Sequence, residues 1–177
     1  MRRLGLACLL ASLALPAAAQ DLPKKITGDL DGDGAPDTVE LRANPEASDF
    51  VDVSIALSAS KRTLRVAQFS GAQEVQIARI ANGELQLGFG WFQGRYKSSW
   101  TFAIGLQGKE LVVRRYETAV ADSISTDKNG VVVRTCKADF VANRLTVNGK
   151  PARAPGPARV FARWGNDAVP KACQSLF

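Results

Sequence analysis

The sequence predicts an all-β protein: a compact antiparallel meander, sandwich or open barrel of about 8–10 strands with little helix. Three observations predict it. From Asp37 onward apolar and polar residues mostly alternate, the period of a half-buried strand. Glycine and Asn-Gly steps recur between the alternating runs, as tight antiparallel turns require. No segment carries the sustained 3.6-residue apolar period of a long helix, and only a short helix near the C-terminus is expected.

Each element follows from its own spacing. Val39 and Leu41 share one face of a first strand, and Val51, Val53, Ile55 and Leu57 one face of a second, with Leu64 and Val66 continuing the pattern. Val75, Ile77 and Ile80 run into Ala81-Asn82-Gly83, after which Leu85, Leu87 and Phe89 alternate, so this stretch predicts a hairpin. Trp100, Phe102, Ile104 and Leu106 reach Gln107-Gly108 and are followed by Leu111 and Val113, which predicts a second. Asn129-Gly130, between Ile124 and Val131 to Val133, predicts a third. Phe140, Val141, Leu145 and Val147 predict a further strand or strand pair closed by Asn148-Gly149. Residues 150–158 hold three prolines without periodicity and predict an irregular segment.

The first residues run from Arg2 and Arg3 through an apolar stretch to Ala17, Ala18 and Ala19, the form of a secretory leader over residues 1–19. Leu4 to Leu15 is too short to cross a bilayer core of about 30 Å as a helix, so an exported protein without a membrane span is expected. The remainder, residues 20–177, suits one domain. In an exported chain Cys136 and Cys173 are expected to pair and to tether the C-terminal tail, including Trp164, to the sheet. Loss of the leader takes the formal charge from +6 to +4. Residues 21–60 carry nine acids against three bases, whereas residues 109–164 carry eleven bases against five acids. The bases are mostly single and lack interleaved aromatics, so no specific nucleic-acid partner is expected.

The acids concentrate in DLDGDGAPD, which sets Asp29, Asp31, Asp33 and Asp37 within nine residues. Like charges so close repel, and alternate oxygens of a glycine-bent loop can converge on one hard cation. Counted as a twelve-residue calcium loop, Asp29, Asp31, Asp33, Asp37 and Glu40 take ligand positions, and the Ala35 carbonyl adds another. An EF-hand is not indicated, because Pro36 stands where an aliphatic residue belongs and neither flank reads as helix. Magnesium is less suited because it demands a tighter octahedral shell, and zinc lacks histidine or thiolate ligands. Without a metal, an Asp-Gly-rich turn would also account for the composition.

On Asp29, Asp31, Gly32, Asp33, Gly34 and Asp37, followed directly by a strand from Thr38 to Arg42, the stretch resembles the calcium loop of FG-GAP and VCBS-type (integrin-like) repeats. The resemblance spans residues 28–42 in a single copy. It implies a structural Ca²⁺ held by the side chains of Asp29, Asp31, Asp33 and Asp37 and the carbonyl of Ala35, with Glu40 a further ligand if its face of the strand meets the ion. A single copy does not imply a propeller.

The chain has no histidine, which removes Ser-His and Cys-His nucleophile pairs and histidine bases. Carboxylate chemistry on a cell-wall or other polysaccharide is the enzymatic alternative, with Glu74, Glu84, Glu110, Glu117, Asp122 and Asp139 as candidates, though no spacing marks a catalytic pair. Trp91, Arg95 and Tyr96 sit at an expected turn and form a candidate ligand surface. The leading expectation is a non-catalytic binding or accessory module, monomeric, with a protein or glycan partner. An inhibitor or immunity-type protein of an exported enzyme is the other alternative.

Overall fold

A computed structural model describes residues 24–46, 50–70, 74–92, 94–127, 130–165 and 167–176. The expected leader and Asn129 lie outside these residues. Strands β1 (Lys24–Gly28), β2 (Asp37–Ala43), β3 (Phe50–Leu57) and β4 (Arg62–Ser70) form one antiparallel sheet in chain order. A second is built from β5 (Glu74–Ala81), β6 (Glu84–Trp91), β7 (Tyr96–Gln107), β8 (Glu110–Asp127), β9 (Gly130–Asp139), β10 (Arg144–Val147) and β11 (Lys150–Ala152), each beside its neighbour in sequence. β12 (Arg159–Val160) pairs with β8. The fold is all-β and antiparallel with little helix: one 3₁₀ turn at Phe161–Arg163 and α1 (Lys171–Gln174). Among the described residues the strands form two separate sheets and no closed barrel.

The alternation becomes burial as expected. Val39, Leu41, Val51, Val53, Ile55 and Leu57 are buried from the first sheet, and Leu85, Leu87, Phe89, Phe102 and Ile104 from the second. Turn chemistry fixes the hairpins. Asn82-Gly83 and Asn148-Gly149 both have two positive φ values, the two-residue turn whose twist matches the strands it joins. The β7–β8 turn is Gly108-Lys109, one residue later than expected, with Gln107 paired to Glu110.

Three strands exceed the expectation. β1 has one inward apolar residue, Ile26, and β11 and β12 are three and two residues long, so each exists by pairing and not by pattern. β11 occupies the start of the expected irregular segment because the Asn148-Gly149 turn brings Lys150 opposite Val147. Phe140 and Val141 belong to a turn and not a strand: Phe140 is buried against Trp164, Val141 is exposed, and Asn143 takes a positive φ.

A bulge lets one long strand keep an apolar inner face. On β8, Ile104 pairs with Val113 and Ala103 with Arg115, leaving Arg114 over. That extra residue shifts the inward parity from Leu111 and Val113 to Tyr116, Thr118, Val120 and Asp122. The sheets approach at β1 and β5, where a Cβ on Gly28 would stand 2.8 Å from Ile80 Cβ, so only glycine fits. The C-terminal tail closes the core. Trp164 packs edge-on to Phe102 at 5.4 Å and tilted on Tyr116 at 5.3 Å, with Phe161 fully buried nearby. The Cys136–Cys173 disulfide, with Cα atoms 5.4 Å apart, ties α1 to β9. A cross-link between residues 37 positions apart is worth about 4 kcal/mol on the chain-entropy view.

Candidate metal centre

The acidic segment is the loop of the β1–β2 hairpin, closed by Gly28 opposite Asp37. Its shape comes from side chains folding back on their own backbone. Asp29 Oδ1 accepts from Gly32 N–H at 2.7 Å and Oδ2 from Gly34 N–H at 3.0 Å, while Asp33 Oδ1 accepts from Ala35 N–H at 2.7 Å. Gly32 and Gly34 have φ of +81° and +82°, which residues with a side chain rarely adopt. Leu30, buried between two acids, anchors the loop in the core.

Asp37 is fully buried and has two jobs. Its Oδ2 accepts from Leu30 N–H and its Oδ1 from Ser58 N–H, each at 2.8 Å, so one carboxylate holds the start of the loop and the end of β3. Carboxylate oxygens of Asp29, Asp31 and Asp37 all lie within 4.8 Å of one another. That spacing fits a shared ion with oxygen bonds of about 2.3–2.6 Å, and the donors are hard oxygens, which suits calcium. Desolvation, and then the negative Asp37 and Asp33, push the Asp31 carboxyl above its ordinary range against a backbone hydrogen bond from Asp33 that lowers it. Among the described residues no base pairs with Asp29, Asp31, Asp33 or Asp37.

The remaining residues of the expected ligand set sit differently. Asp33 is exposed and outside the converging trio, and Ala35 is half-buried beside it in the loop. Glu40 lies opposite Val39 and Leu41 on β2 and pairs with Arg42, Oε1 to Nη2 2.8 Å.

At the other candidate surface, Arg95 is already engaged. Its Nε and Nη2 donate to Asp122 at 2.8 and 2.7 Å, and its guanidinium lies 5.1 Å from the Tyr96 ring centroid. Asp122 also accepts from Ser125 Oγ and the amides of Ile124 and Ser125. Arg95, and then Ser125, hold the Asp122 carboxyl well below the usual carboxylate range. Tyr96 is exposed, whereas Trp91 is half-buried at the end of β6. Phe92, which the sequence pattern did not single out, places its ring over Gly90 where a Cβ would sit, a contact that only the glycine signals. Of the carboxylates named for hydrolysis, Glu84 pairs with Arg114 and Arg115, Glu117 with Lys137, Asp139 with Arg144 and Asp122 with Arg95.

No helix among the described residues is long and apolar enough to cross a membrane. No family model, curated protein or solved structure matches the chain.

Proposed function

We propose that this chain is an exported β domain that holds one structural Ca²⁺ in its β1–β2 loop and serves as a non-catalytic binding or accessory module for a protein or glycan partner. One observation carries the metal: three carboxylates of a glycine-bent loop converge while no base among the described residues offsets them. Asp29, Asp31 and Asp37 would hold the ion, which would neutralise their repulsion and fix the β1–β2 hairpin against β3. The likeness of residues 28–42 to FG-GAP and VCBS-type loops supports the same ion. Export is supported by the leader-like residues 1–19 and by the Cys136–Cys173 disulfide, since such bonds persist in oxidising compartments. A non-catalytic role is supported by the absence of histidine and by the ion pairs that occupy Glu84, Glu117, Asp122 and Asp139.

Titration calorimetry of chelator-treated protein with CaCl₂ tests the site. One binding event per chain is expected, together with a melting temperature that rises with calcium and returns on chelation. Absence of both a binding heat and a melting shift would refute the ion.

A further inference from the structure

We infer that residues 130–134 of β9 form an open sheet edge that takes an extended segment of another protein, with aliphatic residues opposite Val131 and Val133 and a carboxylate opposite Arg134. This deepens the reading of the domain as a binding module and does not depend on the calcium loop. β8 and β9 are paired as far as Asp127 and Gly130, but β10 covers β9 only from Cys136 to Asp139. Asn148 then caps one more residue: its N–H donates to Thr135 O and its Oδ1 accepts from Thr135 N–H, each at 2.8 Å. Thr135 therefore turns its backbone groups away from β8. With the two-residue period of a strand, Val133 and Val131 turn theirs the same way, and among the described residues no strand meets them.

Backbone donors and acceptors left on an edge select an extended chain, because only a strand supplies the matching row. The side chains select its composition. Val131 and Val133 are 50% and 54% exposed on one face, and Ile124 at the adjoining bulge of β8 is 69% exposed. These apolar groups favour aliphatic neighbours across the new strand pair. Arg134, on the alternate face, is exposed and has no ion pair among the described residues, so a carboxylate opposite it is favoured. A second copy of this chain fits less well. Antiparallel pairing about Val132 would set Gly130 opposite Arg134, and a chain of formal charge +4 without residues 1–19 repels its copy.

Fluorescence anisotropy of the full chain with a labelled synthetic peptide tests the edge, the peptide alternating valine and threonine with one glutamate. Two sister peptides carry lysine for the glutamate or N-methyl groups on alternate amides. The glutamate peptide is expected to bind about tenfold more tightly than the lysine peptide and N-methylation to abolish binding, with amide shifts confined to residues 130–135 and excess EGTA without effect. Val133→Pro, checked for folding by circular dichroism, should lose about tenfold in affinity through its missing N–H, and Arg134→Glu should reverse the glutamate–lysine preference. Absence of binding, equal binding of all three peptides, or shifts elsewhere would overturn the inference. So would a concentration-dependent dimer in sedimentation that Val133→Pro abolishes, which would give the edge to a second copy.

Discussion

Two buried aspartates, one from the acidic and one from the basic part of the chain, hold local backbone under opposite electrostatics. Asp37 is 0% exposed and Asp122 6%; Asp37 joins the acidic loop to the end of β3 by accepting from the Leu30 and Ser58 amides, and Asp122 holds the β8 bulge by accepting from the Ile124 and Ser125 amides. Asp122 has its counter-ion in the chain, a two-pronged Arg95 guanidinium backed by Ser125. Around Asp37 the near charges are Asp29 and Asp31, of the same sign. Burying a carboxylate is tolerable when its charge is met, so the Asp122 end is electrostatically complete within the chain, whereas no base among the described residues meets the charge at the Asp37 end.

The sharpest way to break this comparison is Asp37→Ala. It strips the acceptor from the Leu30 and Ser58 amides and is expected to cost about 3 kcal/mol in calcium-free urea unfolding, chiefly from the buried Leu30 donor left unmade, and more with calcium because an ion ligand goes with it. A loss under about 1 kcal/mol would show that Asp37 is no hub. Next in size is calcium itself. At a hundredfold excess over its dissociation constant it should add about 2.7 kcal/mol, read as a melting rise of about 5–10 °C. Asp31→Asn should abolish that rise while leaving the calcium-free protein as stable as before or slightly more so, because a repulsive charge has gone.

Arg95→Gln probes the complete end and should have the opposite sign to Asp31→Asn. Removing that charge should lower the melting temperature, regardless of calcium, since it takes two charge-assisted hydrogen bonds from Asp122. The smallest expected effect is in the acid limb. Because the folded Asp122 carboxyl lies below its unfolded value of about 3.9, its contribution is full above that pH and is lost as the pH falls toward the folded value. Thermal melts between about pH 5 and 2 should show Asp122→Asn with a shallower acid-induced loss than the parent. An unchanged slope would mean that Arg95 does not set that carboxyl.

Most of the strand content was legible because period-two burial leaves its mark within each segment, as Val51, Val53, Ile55 and Leu57 do on β3. Turns carried by Asn82-Gly83 and Asn148-Gly149 were legible for a local reason too: both residues must take positive φ. β1 was hidden because KKITG has one inward apolar residue, and its strand state comes from the hydrogen bonds of β2. Phe140 and Val141 misled because apolar residues that cap a core at a turn look, in sequence, like strand. Of the acidic loop, the cluster and its glycines were legible. That Asp33 stays outside the trio while Glu40 turns to Arg42 was not, since that depends on the fold-back of the loop and on the face β2 presents.

By itself the sequence determined that this chain folds as alternating antiparallel strands, that it crowds four carboxylates beside two glycines, and that it offers no histidine chemistry. Each is a matter of local spacing or composition, and neighbouring residues suffice for it. Only the tertiary structure decided which acids converge, that Arg95 belongs to Asp122, and that β9 outruns β10 and leaves Val131 and Val133 at an edge. The convergence of the acids depends on Asp37 being held by Leu30 and Ser58, and the other two outcomes join residues far apart in the chain, whose register is set by packing two sheets and a disulfide-bound tail around one core.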